Sequence, residues 1–277
     1  MRTKGGSPST KLQYVAMGDS YSSGEGNPSF IPSTNSSEDK CHRSTDAYPY
    51  LLADDSDLNL HLVSNVACSG ATTSDVLGEA EADDPLGKDG EPAQIGALSD
   101  QTNVVTLTVG GNDVGFAPYM TYCITNFCGP VTNSAFYNTE LSVVEATGFS
   151  DALVNTYETI LDDAPNAQVY VSEYPYLTTD TETLCDAVDV SGVYGLTTEL
   201  NSVIDTAVGT VAADNSRLHL VPANASGSPF ADKNICGSDS YFNNDVLLPS
   251  EDQVYSYHPN SSGHGAFKTI FKEVMTD

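Results

Sequence analysis

Four residues of this 277-residue chain have types that suit acyl transfer and stand in small-residue turns: Ser20, Gly70, Asn112 and His258. Ser20 lies in Gly18-Asp19-Ser20-Tyr21-Ser22-Ser23-Gly24-Glu25-Gly26, Gly70 in Ala67-Cys68-Ser69-Gly70-Ala71, Asn112 in Gly110-Gly111-Asn112-Asp113, and His258 directly before Pro259. Acyl transfer needs a hydroxyl nucleophile, a base to take its proton, and donors aimed at the developing oxyanion. Ser20 offers the hydroxyl and His258 the base. Gly70 offers a backbone N–H with no side chain to shield it, Asn112 a side-chain amide, and Ser20 its own N–H. Losing one such donor typically costs ~2.7–4 kcal/mol of barrier, so Asn112 is expected to matter greatly.

These turns need elements to place them. Leu12–Met17 reads as a first strand and Leu58–Ser64 as a second, with one partly wet face. Asn103–Val109 is β-branched and nearly continuous, the pattern of a buried parallel strand. Ala167–Ser172 and Leu218–Val221 read as further strands. Helices are expected at Ala47–Ala53, Thr72–Ala80, within Ser134–Asp163 (a stripe of Ala152, Val154, Tyr157 and Ile160/Leu161), at Val193–Ala213 and at Gly265–Met275. Asn27–Lys40 and Asp83–Pro92 read as loops. Strands alternating with helices indicate an α/β fold with a parallel sheet covered on both faces. Residues 1–11 read as a flexible tail and 12–277 as a single domain. In an open parallel sheet, sites form outside the carboxyl ends of the strands, where three of the turns fall.

The charge is extreme: 38 acidic against 10 basic residues, net −28. Nucleic acid and anionic membranes would repel such a chain, so neither is an expected partner. A carboxylate coat with few amines suits concentrated salt, where the Debye length falls to ~3 Å at 1 M, and we read the chain as halophilic. No apolar run approaches the ~18 residues of a membrane span. Six cysteines without a CxxC pair give no support to a zinc site, and no His/Asp/Glu spacing resembles a metal centre, so neither metal nor cofactor is expected. Paired in sequence order they would be Cys41–Cys68, Cys123–Cys128 and Cys185–Cys236; spacing alone does not select this from 15 connectivities. Bridges would imply an oxidising compartment and a secreted protein, although Met1–Thr10 has no apolar run of the signal-peptide kind.

Taken together, the Ser, Gly, Asn and His blocks resemble the GDSL/SGNH hydrolase family. GDSYSSGEG (18–26), CHRS (41–44), ACSGA (67–71), VGGNDVGF (109–116) and HPN (258–260) are similar to the branch of secreted actinobacterial esterases and lipases. The resemblance implies an α/β/α sandwich of the flavodoxin-like kind with about five parallel strands, and the three consecutive disulfides above. It also implies Ser20 as nucleophile, His258 as base, and Ser20, Gly70 and Asn112 as the oxyanion hole.

One departure stands out. The usual family pattern has an Asp three residues before the histidine, and here that residue is Tyr255. In the branch this chain resembles, a backbone carbonyl takes that role, which implies a Ser–His dyad oriented by the Tyr255 carbonyl; Asp252 is the other candidate. His264 is expected to cap or pack, and His42, His61 and His219 to be surface or strand histidines. Asp19 and Asp113 are expected to hold loop amides without a chemical step, and the sequons at Asn35, Asn224 and Asn260 are read as incidental. The expected activity is ester hydrolysis on a small-molecule, lipid or acylated-carbohydrate ester by a monomer. The rivals are a carbohydrate O-acetylesterase using the same residues and a catalytically silent carbohydrate-binding module.

Overall fold

Strand β1, Leu12–Gly18, runs through the sheet with Tyr14 to Met17 wholly buried, and it pairs in parallel with a strand on each side. Its neighbours are β2 (Leu60–Asn65) and β3 (Val104–Thr108), and the sheet continues through β4 (Gln168–Ser172) to β5 (Leu218–Val221). The order β2-β1-β3-β4-β5 is parallel throughout. The computed structural model describes residues 10–78, 91–119, 135–179, 190–235, 237–243 and 256–277.

All five residues of β3 are buried, as its β-branched run requires of a central strand covered on both faces. The helices among the described residues include α1 (Ser20–Ser23), α2 (Tyr48–Ala53), α3 (Thr73–Leu77), α4 (Ala135–Val144), α5 (Thr147–Asp163), α6 (Val190–Ala212) and α7 (Ser261–Thr276). They form two packed groups: α2 with α7, and α3, α4 and α6 around α5 and one another. Tyr48 stacks on Phe271 at 4.7 Å between ring centres, which joins α2 to α7.

Strand placement follows the pattern expected from the sequence, and β5 coincides with it. The expected helical stretch 134–163 is two helices, α4 and α5, separated at Glu145-Ala146. The buried stripe of α5 is Phe149, Leu153, Thr156/Tyr157 and Ile160/Leu161. Ala152 and Val154 are only half-buried, so the expected stripe holds at Tyr157 and Ile160/Leu161 while Leu153 takes the core position before them. The flexible-tail expectation falls mostly outside the described residues.

The chain runs from β1 to β2 on one side, then crosses to β3 on the other. The sheet therefore has its topological switch at β1/β3, where a crevice opens at the carboxyl ends of the strands. Ser20 and Asn112 follow those two strands directly.

Candidate active site

β1 ends at Gly18, whose φ of +119° is open to glycine. A Cβ there would stand 2.2 Å from the Thr108 carbonyl oxygen, so β1 and β3 approach closely only because the side chain is absent. Asp19 then caps the single turn of α1, accepting the Tyr21 N–H at 3.0 Å, and Gly24 closes that turn in the left-handed conformation. Ser20 is thus the first residue of a buried one-turn helix rather than a residue of an open turn. Asp19 donates its N–H to Thr108 O at 2.9 Å, and Gln94 brackets Gly18 by accepting its N–H at 2.7 Å and donating to its carbonyl at 2.9 Å. Nothing in the sequence pattern marks Gln94, which lies 76 residues away.

His258 meets this turn from the other end of the chain. Its Nε2 is 2.9 Å from Ser20 Oγ, and its Nδ1 is 3.1 Å from the Ser256 carbonyl oxygen. Nδ1 therefore meets a backbone carbonyl, that of Ser256, one residue on from the carbonyl expected there. Tyr255 and Asp252 lie outside the described residues. The loop turns at Tyr257, at φ +67°, and the Tyr21 hydroxyl donates to the Tyr257 carbonyl at 2.9 Å. Asn243 joins the two segments: its Nδ2 donates to Gly26 O at 2.7 Å and to His258 O at 3.2 Å. A Cβ on Gly26 would lie 2.7 Å from the His258 Cβ, which explains the last glycine of the nucleophile block. Asn260, read as an incidental sequon, is the N-cap of α7, accepting from Ser262 N and Gly263 N. It thereby fixes where the helix begins, three residues after the histidine.

The two segments expected to carry oxyanion donors are laced together. Asn112 donates its Nδ2 to the Ala71 carbonyl at 2.9 Å, and Asp113 accepts the Thr73 N–H at 3.1 Å and the Thr73 hydroxyl. Burial raises the Asp113 pKa, and these Thr73 hydrogen bonds oppose the rise. Gly70 has φ +84°. Its segment is anchored three ways. Cys68 N–H donates to Gly18 O at 2.9 Å, Cys68 is disulfide-bonded to Cys41, and Arg43 Nε donates to Ala67 O at 2.8 Å. In the chain-entropy view, closing the 27-residue loop contributes about 3–4 kcal/mol. Cys123–Cys128 and Cys185–Cys236 fall outside the described residues.

Asp19 is the buried charge beneath the nucleophile. Burial raises its pKa to about 7, opposed by hydrogen bonds from the Tyr174 hydroxyl and the Tyr21 N–H. His264 packs inside α7 with no exposed surface. Its Nδ1 accepts the Tyr48 N–H at 3.3 Å, and burial, then the nearby His258, lowers its pKa to about 3. His42 departs from its expected place at the surface or in a strand. It sits in a loop with φ +48°, stacks on Phe30, and its Nδ1 lies 2.7 Å from the buried Glu25 carboxylate. His219 lies in β5 against Tyr170, and His61 is exposed in β2. Asp39, Cys41 and Glu91 cluster among the described residues, but the Cys41 sulfur is in the disulfide and Glu91 pairs with Arg43.

A serine hydroxyl against an imidazole, the imidazole against a carbonyl, and a glycine and an asparagine on adjoining loops are parts of an acyl-transfer site. The GDSL-like lipase/acylhydrolase family matches residues 16–266. The chain belongs to that family. Lipase 1 of Streptomyces coelicolor is 38% identical over 174 residues, 61% of this chain, and the match spans 54% of that protein's length. The crystal structure of phospholipase A1 from Streptomyces albidoflavus superposes with a TM-score of 0.74 at 31% identity, covering 95% of this chain and 99% of that one. The extracellular lipase of Streptomyces rimosus does so with a TM-score of 0.74 at 29% identity and the same coverage.

Proposed function

We propose that this chain hydrolyses carboxylic esters, with lipid esters as substrates, through an acyl-Ser20 intermediate. The observation that carries the reading is the 2.9 Å contact between Ser20 Oγ and His258 Nε2 at the carboxyl end of β1, within a lipase/acylhydrolase family. Ser20 Oγ attacks the ester carbonyl carbon as its proton passes to Nε2. The imidazolium then donates from Nδ1 to the Ser256 carbonyl, which fixes the tautomer but stabilises the cation less than a carboxylate would. The Ser20 N–H, the Gly70 N–H and the Asn112 amide receive the oxyanion. Nε2–H protonates the leaving alkoxide, and the alcohol departs. A water, deprotonated by the same nitrogen, then releases the acid and regenerates Ser20.

The lipase and phospholipase relatives support the lipid reading, and they favour it over a carbohydrate O-acetylesterase or a silent carbohydrate-binding module. Ser20→Ala is expected to abolish turnover of simple esters while leaving the circular dichroism spectrum unchanged. Retained turnover would reject the reading. A series of acyl-chain lengths, with phosphatidylcholine included, tests the substrate class: preference for acetyl esters would favour the carbohydrate rival.

The extracellular lipase relative and the Cys41–Cys68 bridge support a secreted protein. Among the described residues no helix is long and apolar enough to cross a membrane. We read residues 12–277 as one domain acting as a monomer, which sedimentation would check. The net charge of −28 supports a salt-requiring fold. Dialysis to ~10 mM ionic strength is expected to lower the unfolding temperature, and an unchanged one would reject halophily.

A further inference from the structure

We infer that Tyr174 is a positioning residue whose hydroxyl locks the nucleophile turn to the oxyanion loop. The inference rests on the ester-hydrolase reading and adds to it a residue outside the blocks that identify the family. Tyr174 lies two residues beyond β4 and is buried. Its hydroxyl donates to Asp19 Oδ2 and accepts the Gly111 N–H at 3.0 Å. Asp19 is the residue before the nucleophile, and Gly111 is the residue before Asn112. A single oxygen atom therefore spans the two segments that must keep register if the attacking hydroxyl and the oxyanion donor are to serve the same carbonyl group.

The rest of the residue is built to hold that oxygen still. Tyr174 N–H donates to Asn201 Oδ1 at 2.9 Å, and its carbonyl accepts Asn201 Nδ2 at 2.8 Å and Asn224 Nδ2 at 2.9 Å. Its ring meets Tyr21 edge-on, with centres 5.2 Å apart. Gly111 lies flat against it: a Cβ there would be 3.3 Å from both Cζ and the hydroxyl oxygen. Clamped at the main chain and along the ring, the phenol acts as a strut. Asp19 in turn needs the donor, because its carboxylate is otherwise held in a buried site by the Tyr21 N–H. Misplacing reacting groups by ~1 Å typically costs 10²-fold in rate, so loss of a strut between nucleophile and oxyanion donor is expected to appear in kcat.

The test is a double-mutant cycle on steady-state ester hydrolysis with Tyr174→Phe, Asp19→Asn and the pair. Tyr174→Phe keeps the ring and removes both hydrogen bonds of the hydroxyl. Asp19→Asn interrupts the same link from the other end, so the result does not hinge on one variant folding. The expected result is a roughly 10–100-fold fall in kcat for each single variant, with KM within about twofold. The double variant should be no slower than the slower single one, because the two groups act as a unit. Weakened binding of an alkylboronic acid, an oxyanion mimic, should accompany the kcat loss. Wild-type kcat in Tyr174→Phe, or multiplicative losses in the double variant, would overturn the inference. So would a loss confined to a lower folded fraction. Turnover that survives Ser20→Ala would overturn the hydrolase reading and this inference together. Wild-type kcat in Tyr174→Phe, on an enzyme that Ser20→Ala silences, would overturn the inference alone.

Discussion

Ser20 and His258 share a hydrogen bond, yet the backbone around them is held in different ways. The nucleophile turn belongs to the sheet: Gly18 pairs with Thr108, Asp19 N–H bonds Thr108 O, and Cys68 N–H bonds Gly18 O. These are main-chain bonds between central strands and their exits, and the Gln94 and Tyr174 side chains add bonds at Gly18 and Asp19. The histidine stands on a loop three residues before α7. There main-chain bonds hold it to a distant loop, from Asn243 N–H to the His258 carbonyl at 3.0 Å and from Tyr257 N–H to the Asn243 carbonyl at 2.9 Å. Side chains add to them, Asn243 at the His258 carbonyl and Tyr21 at the Tyr257 carbonyl. Ser20 is placed by the central sheet, and His258 by a pairing of two loops outside the sheet that side chains reinforce. Damage to the base should therefore cost activity without costing the fold.

The predictions probe that contrast, from the largest expected effect downwards. Asn112→Ala removes an oxyanion donor and the bond to Ala71, and is expected to lower kcat by about 10²–10³-fold with little change in KM. A comparable rise in KM instead would show that the amide serves ground-state binding. Asn243→Ala removes the side-chain bonds to Gly26 and His258 while keeping the main-chain ones, and should lower kcat by about tenfold. Its thermal midpoint should stay near wild type, and a large fall in stability with intact kcat per folded molecule would reverse the contrast. Tyr21→Phe removes one hydrogen bond at the Tyr257 carbonyl. A net contribution of about 0.5–1.5 kcal/mol translates to a loss of a few-fold to about tenfold in kcat.

The last prediction concerns stability against pH, read by chemical denaturation. His264 is buried neutral, with its pKa lowered to about 3 mainly by burial. Between about pH 6.5 and 3 the unfolded chain binds a proton there that the folded chain does not, so stability falls as pH falls through that window. Asp19 has the opposite sign. Its folded pKa is raised to about 7, so the folded state binds the extra proton and stability falls as pH rises from about 4 to 7. Replacing His264 by Gln is expected to flatten the loss of stability as pH falls from about 6.5 to 3, and Asp19→Asn to remove the loss as pH rises from about 4 to 7. Unchanged slopes would show that neither group stays buried in the state assumed.

Much of this architecture was legible in the sequence because it is local. Strand exits after apolar runs marked Ser20, Gly70 and Asn112, and the glycines flanking Ser20 proved to be sites where a Cβ would strike Thr108, Ser44 or His258. The parts that were not legible are set by topology. Gln94, Tyr174 and Asn243 have no pattern of their own, and they reach the site across 76, 155 and 217 residues of chain. The Ser256 carbonyl meets His258 where the loop bends at Tyr257 through a positive φ that a tyrosine does not advertise, and the expected Tyr255 carbonyl lies outside the described residues. His42 shows the same limit: its partner Glu25 lies 17 residues away and is buried, which no periodicity in a loop reveals. In α5, half-buried Ala152 and Val154 flank Leu153, the residue that enters the core, and apolar character alone does not separate them.

The central claim is that Ser20 is the nucleophile and that His258 activates it with a carbonyl behind its ring. Intact protein treated with a fluorophosphonate, then digested and analysed by mass spectrometry, tests this most directly. The account predicts one adduct, on the peptide containing Ser20, formed at least about 10³-fold more slowly in His258→Ala. An adduct on another residue, or labelling of Ser20 at the wild-type rate without His258, would contradict it.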